Sequence, residues 1–117
     1  MVKKYDIYFA NLDPVRGAEK RGGRPCLVIQ NNLINRSRIQ TVVVIPFTSK
    51  PKNVPSAIWV IASIENGLKS GSRLEISQIR TIDRGRMGGF LGHLESKYHS
   101  EINEKISEFL DLRDEFL

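Results

Sequence analysis

Apolar residues along this chain come in short runs broken by Gly, Pro, Asn and Asp, and only one stretch, near the C-terminus, spaces them at helical intervals. Ile7, Phe9 and Leu12 begin a short strand that the Asp13-Pro14 turn signal ends. Cys26 to Gln30 is compact, rich in branched residues and stopped by Asn31-Asn32, so it reads as a strand buried on both faces. The two runs make a hairpin with a long connection. Residues 32 to 38 form a second polar connection, followed by Thr41 to Ile45, the strongest strand signal in the chain. Pro46 and Pro51 then predict that the backbone leaves the sheet, with Thr48 and Ser49 at a strand end. A flexible segment, 50 to 56, leads into a strand at Ala57 to Ile61. Leu74 to Ser77 and Ile79 to Ile82 alternate with period two, and Phe90 to Leu94 forms a last short strand. Tyr98, Ile102, Ile106, Phe109 and Leu110 mark a helix behind an N-cap at Ser96. Short strands with one terminal helix predict a mainly β fold, a small twisted antiparallel barrel or half-barrel crossed by the helix.

At 117 residues the chain has the size of one domain, and 1–117 is expected to form a single unit. No apolar run approaches the ~20 residues that cross a bilayer, and Met1 to Asp6 does not resemble a leader, which predicts a cytoplasmic protein without a membrane partner. The lone cysteine, Cys26, excludes an internal disulfide and a thiolate zinc cluster, and its apolar neighbours predict a buried, inert thiol. The net charge of +5 is unevenly distributed. Residues 1 to 94 hold 15 Lys and Arg against 6 Asp and Glu, while residues 95 to 117 hold 3 against 7. A basic body with an acidic tail favours nucleic acid or an acidic protein as partner.

The basic loop from Pro14 to Pro25 is the segment best suited to a polyanion. Arg16, Lys20, Arg21 and Arg24 share it with one carboxylate, Glu19, and with Gly17, Gly22 and Gly23, which let backbone approach a phosphate closely. Pro25 fixes its own φ and biases Arg24 towards extended backbone, holding that guanidinium at the entrance of a strand. The competing reading is an Arg24–Glu19 pair that only stiffens the loop. Phe47 and Trp59 lie in apolar runs and read as core residues before base-stacking ones. His93 and His99, the usual acid-base residue type, lie outside the loop.

Asn11-Leu12-Asp13-Pro14, Arg16-Gly17-Ala18-Glu19, Gly23-Arg24-Pro25, Leu27-Val28-Ile29-Gln30-Asn31 and Gln78-Ile79-Arg80-Thr81-Ile82-Asp83, in this order and spacing, resemble the MazF/PemK toxins of bacterial toxin-antitoxin systems. The resemblance implies an SH3-like barrel of the MazF/Kid/CcdB type and a homodimer, formed through the strand around Val42 to Ile45 or through the terminal helix. It also implies a metal-independent, cofactor-free endoribonuclease acting on single-stranded RNA, inhibited by a cognate MazE-like antitoxin with which it forms a DNA-binding complex. The catalytic arginine of the family falls on Arg24, its strand-end hydroxyl on Thr48 and its loop carboxylate on Glu19. Arg16, Lys20, Arg21, Ser49, Arg80 and Arg86 are the expected RNA contacts. Ser77 stands where many members carry an acidic residue, and Glu75 where some plasmid-encoded relatives carry an arginine, so those two roles are not transferred. Two alternatives remain at this level: a toxin of the same fold that binds a protein such as gyrase, and a silent RNA-binding relative.

The chemistry implied is attack of a 2′-hydroxyl on the adjacent phosphorus, leaving a 2′,3′-cyclic phosphate and a 5′-hydroxyl. Arg24 suits the phosphate because its planar fork donates two hydrogen bonds, and the Thr48 hydroxyl can donate another. Glu19 either orients Arg24 or accepts the 2′ proton.

Overall fold

The computed structural model describes residues 1–49 and 57–112; the expected flexible segment 50–56 and Pro51 lie outside them. Seven strands, β1 (Asp6–Asn11), β2 (Gly23–Val28), β3 (Thr41–Thr48), β4 (Ala57–Val60), β5 (Ser72–Glu75), β6 (Arg80–Asp83) and β7 (Met87–His93), build one antiparallel sheet. Two helices accompany them, the short α1 (Asn32–Asn35) and the terminal α2 (His99–Leu110). The sheet runs β4-β5-β3-β2-β1-β7, with β6 also paired to β3. The described strands form an open, half-barrel arrangement and do not close into a ring.

β3 is the strand on which the sheet turns. One edge pairs with β2, as Leu27 opposite Ile45. The other edge is shared: Thr41 to Val44 pair with β6, and Phe47 and Thr48 pair with β5. A single turn of 3-10 helix, Ile76–Gln78, carries the chain from β5 to β6 along that edge. The alternation expected over residues 74 to 82 is therefore interrupted by a helical turn.

Pairing continues through Pro46, which faces Cys26, so the expected departure from the sheet at this proline does not occur. Backbone parity gives the reason. Ile29 N–H donates to the Val43 carbonyl, so odd-numbered residues of β3 aim their polar groups at β2 and even-numbered ones at the other edge. There, β6 stops opposite Val44 and β5 starts opposite Phe47. Pro46 thus has its missing N–H where no ladder partner is required.

Period-two alternation fills two cores, one on each face. Leu27, Ile45, Phe47, Leu74 and Ile102 join one, and Cys26, Val28, Val42, Val44 and Ile82 join the other. Cys26, Leu27 and Val28 are fully buried as expected of Cys26 to Gln30, but β2 begins at Gly23 and ends at Val28, and Ile29 is only partly covered. Val42, Val44 and Ile45 are fully covered within the chain, while Val43 between them keeps part of its surface exposed. Trp59 departs from expectation too: on β4 it is 54% exposed, while Phe47 is buried. Gly71 permits this placement, since a Cβ there would stand 2.5 Å from the indole.

The helix begins later than the Ser96 cap implies. Ser96–Tyr98 forms a 3-10 turn and α2 follows from His99 without a side-chain cap at Tyr98. Stacking of His99 on Tyr5, with ring centroids 3.5 Å apart, and a hydrogen bond from the His99 ring to the Leu94 carbonyl secure this end. Ile102 inserts into the core, with Ile106 packed against it.

Between β2 and β3 a buried amide pair closes the connection. Gln30 Nε2 donates to Asn35 Oδ1 at 3.0 Å, Asn35 Nδ2 donates to the Gln30 carbonyl at 2.8 Å, and Gln30 Oε1 accepts from Val43 N–H. Asn35 is 2% exposed. Asn35→Ala will leave Gln30 Nε2 with the Thr41 carbonyl alone and remove the Asn35 donor from the buried Gln30 carbonyl, lowering stability by about 1–3 kcal/mol, measured by urea unfolding; an unchanged midpoint would show that the pair adds nothing.

Candidate functional site

The long β1–β2 loop is closed at its base by Leu12 N–H on the Gly22 carbonyl and by Gly22 N–H on Asp13 Oδ1, each at 3.0 Å. Gly22 has φ +76°, a conformation that a side chain would strain. At the exit, Arg24 enters β2 half-buried. Its Nε donates to the Arg21 carbonyl at 3.2 Å and its Nη1 to the Phe47 carbonyl at 3.3 Å.

The second bond follows from the ladder. Leu27 and Ile45 exchange backbone bonds, so the next exchanging pair in this register is Pro25 with Phe47. Pro25 has no N–H to give. The Arg24 guanidinium takes the vacant place on the Phe47 carbonyl, which brings it beside Thr48, the last residue of β3. Arg24 and Thr48 then line one cleft of about 460 Å³ with Phe9, Ser49, Lys69 and Leu91.

Glu19 is not part of that cleft. Its Oε1 accepts the Arg16 N–H at 2.8 Å while its own N–H returns to the Arg16 carbonyl, so the carboxylate shapes the loop tip. It borders a second cleft with Ser77, Gln78 and Arg80. The expected stiffening of the loop is supplied by Lys20. Lys20 N–H donates to Gln78 Oε1, and its ammonium lies 3.3 Å from Glu75 Oε2; Glu75 Oε1 in turn accepts from Arg73 Nη2 at 2.8 Å. Arg73 and Glu75 are both buried.

Two further predicted contacts are bound to backbone. Arg80 Nη1 donates to the Leu12 carbonyl and Arg86 Nη1 to the Asp13 carbonyl, bracing the start of the loop. Arg16, Arg21 and Ser49 are exposed. His93 bonds to the buried Asp6 at 2.7 Å and His99 to Leu94, so neither lines the Arg24 cleft.

Sequence reasoning missed Phe9, Lys69 and Ser70, which complete the cleft. Ile7 and Phe9 alternate and so suggest one buried face, but the β1–β7 pairing slips between Ile7 and Tyr8 and again between Tyr8 and Ala10. The slips leave Ile7 fully buried and Phe9 46% exposed. Gly88 is a signal that points there: a Cβ on it would stand 2.8 Å from the Phe9 carbonyl, so β7 approaches that closely only as glycine.

A basic loop closed onto an open antiparallel sheet, with a guanidinium and a hydroxyl in a cleft at the strand ends, defines a small β protein with a cationic cleft. The profile of the PemK-like, MazF-like toxins of type II toxin-antitoxin systems matches residues 3–110, and this chain belongs to that family. It is 36% identical over 115 residues to the endoribonuclease EndoA of Bacillus subtilis, covering 97% of this chain and 98% of the relative. To the endoribonuclease MazF of Staphylococcus saprophyticus it is 33% identical, covering 96% and 93%. A solved mycobacterial endoribonuclease, in complex with its cognate antitoxin, has the same fold at a TM-score of 0.78, with 21% identity over 97% of this chain and 98% of that one.

Burial raises the Glu75 carboxyl, but hydrogen bonds from Arg73 and Lys20 and their charges outweigh it and hold the group below its ordinary value. A lowered folded pKa means that its stabilisation is complete above the unfolded value and lost as pH falls through the folded one. Glu75→Gln will cost about 3 kcal/mol at neutral pH by removing the carboxylate that pairs with both Arg73 and Lys20. In a urea series the gap from wild type will narrow on acidification below the ordinary carboxylate pKa of about 4.3; a gap that persists would remove the ion pair as its cause. Burial also pushes the Cys26 thiol up to about 12, against the opposing charges of Arg24 and Arg80. Iodoacetamide will therefore leave Cys26 unmodified in the folded protein and label it in urea, a contrast read by mass spectrometry; equal labelling in both would contradict its burial.

Proposed function

We propose that this chain is a sequence-specific, metal-independent endoribonuclease toxin that cleaves single-stranded RNA by 2′-hydroxyl attack. The observation that carries the reading is the Arg24 guanidinium, fixed on the Phe47 carbonyl beside Thr48 in an open cleft. Membership of the toxin family and relatives named as endoribonucleases support it.

The two backbone contacts of Arg24 occupy two of the five N–H groups of a guanidinium, leaving three for a scissile phosphate. Arg24 stabilises charge on the non-bridging oxygens and protonates the departing 5′-oxygen. Thr48 donates its hydroxyl to the same phosphate, and Ser49 and Lys69 hold the strand at the rim. Arg16 and Arg21, exposed on the loop, draw in the polyanion. Glu19 acts through the loop shape that it imposes on Arg16. As the 2′-oxygen bonds to phosphorus the P–O5′ bond breaks; the 2′-hydroxyl proton passes to bulk water, and Arg24 regains from water the proton that it gave to the 5′-oxygen.

The same basic cleft suits an acidic, extended antitoxin segment, as the family and the mycobacterial toxin-antitoxin complex suggest. The unit acts in the cytoplasm as a single domain and a homodimer. Of the two surfaces first considered, the end of α2 carries the larger exposed apolar side chains, Phe109, Leu110 and Leu112, and is the better surface for that contact.

The test is digestion of long single-stranded RNA in excess EDTA, with chemical identification of the new ends. Wild type will give discrete cuts with 5′-hydroxyl and cyclic-phosphate ends. Arg24→Ala and Thr48→Ala will each reduce the rate by about 10²-fold or more, and Arg24→Lys will not restore it, because an ammonium lacks the fork. Intact RNA with a folded wild-type protein would overturn the reading.

A further inference from the structure

The Arg24 cleft has an apolar wall that phosphate chemistry leaves without a task. Phe9, Leu68 and Leu91 line it together with the polar groups Arg24, Thr48, Ser49 and Lys69. Leu68 is buried and Leu91 half-buried, but Phe9 keeps 46% of its surface exposed on a strand whose neighbours Ile7 and Ala10 are fully covered. Its ring lies against Gly23: a Cβ there would stand 2.6 and 2.7 Å from ring carbons Cε1 and Cζ. Phe9 also pairs with Pro25 across β1 and β2. The ring therefore rests on the Gly-Arg-Pro backbone that carries Arg24, and its position relative to the guanidinium is set by the ladder.

We propose that Phe9 is a base-stacking platform, and that the apolar wall takes one unstacked nucleobase of the RNA strand whose phosphate Arg24 holds. This rests on the endoribonuclease reading and adds to it a residue that contacts substrate. A nucleotide presents a charged phosphate and a flat apolar base within one residue of chain, and the cleft presents a cation and a flat ring in the same proximity. The platform costs little entropy on binding because Gly23 and Pro25 already hold the ring. Stacking is tolerant of base identity, so Phe9 supplies affinity and splays the strand, while base edges are read elsewhere. Lys69 and the basic loop favour an anionic ligand here over a neutral apolar peptide.

The experiment measures fluorescence anisotropy of a labelled, fully 2′-O-methylated RNA pool of random sequence, which binds but cannot be cut. Phe9→Ala will weaken binding about 5- to 100-fold, Phe9→Leu will restore little although it refills the volume, and Phe9→Trp will restore it fully. The slope of affinity against salt will be the same for all of them, since no phosphate contact is lost. An abasic sugar-phosphate oligomer will bind wild type and Phe9→Ala alike. Circular dichroism establishes that each variant is folded, and Leu and Trp stand in where Ala does not fold. Equal pool binding by wild type and the Ala and Leu variants would overturn the platform alone and give the apolar wall to a protein ligand. Failure of wild type to bind or cut RNA would overturn the endoribonuclease reading and this inference with it.

Discussion

Two prolines at adjoining ladder positions in the middle of the sheet determine the site. Pro46 would ordinarily break β3, but its missing N–H points at the gap between β6 and β5, where the 3-10 turn Ile76–Gln78 passes. Pro25 faces Phe47 at a place where an N–H is required, and the shortfall is met by a side chain. Arg24 completes the ladder with its guanidinium and is immobilised by doing so. A surface arginine ordinarily loses substantial rotamer entropy when it grips a ligand. Here that loss belongs to folding, so the fork is already oriented when an anion arrives.

The surrounding cations divide between building the loop and meeting a ligand, and the division is set by which backbone carbonyls the loop leaves open. Arg80 and Arg86 fall on the carbonyls of Leu12 and Asp13, where β1 ends and the loop departs. Lys20 reaches inward to Glu75, joining the loop to the buried pair on β5. Arg16, Arg21 and Lys69 remain at the surface. The net charge of the chain thus overstates the charge available to a polyanion, and the loop owes its shape to the same residue type that makes it basic.

The second half of β2, the first half of β3 and the body of α2 were legible because each rests on a local pattern: branched runs for the strands, helical spacing around Ile102 for the helix. Arg24 and Thr48 were legible as types at strand ends, and their meeting follows from the hairpin register. What was not legible depends on relations between strands. The continuation of β3 through Pro46 requires knowing which edge is vacant, and the exposure of Phe9 requires the slips against β7. Trp59 sits in an apolar run, yet β4 is the last strand on its side of the described sheet and turns that ring outward. Lys69 carries no signal at all in a turn of ordinary composition, because only the folded chain brings residues 67 to 70 to the end of β3.

Ser77 and Glu75 show how a family pattern is altered without loss of the fold. Many relatives place a carboxylate immediately before Gln-Ile-Arg, where this chain has the exposed Ser77 on the second cleft. Glu75, two positions earlier, does not replace it. A group two residues away along a strand would share its face, but β5 ends at Glu75 and the 3-10 turn intervenes, directing Glu75 inward to Arg73 and Lys20. Its charge is spent inside the protein, and the burial that would otherwise raise its pKa is outweighed by those two cations. The second cleft consequently keeps Glu19 as the carboxylate among its lining residues, against Arg80. This surface therefore sets one carboxylate against one guanidinium and carries a hydroxyl at Ser77, while the Gln78 amide oxygen is already engaged by the Lys20 N–H.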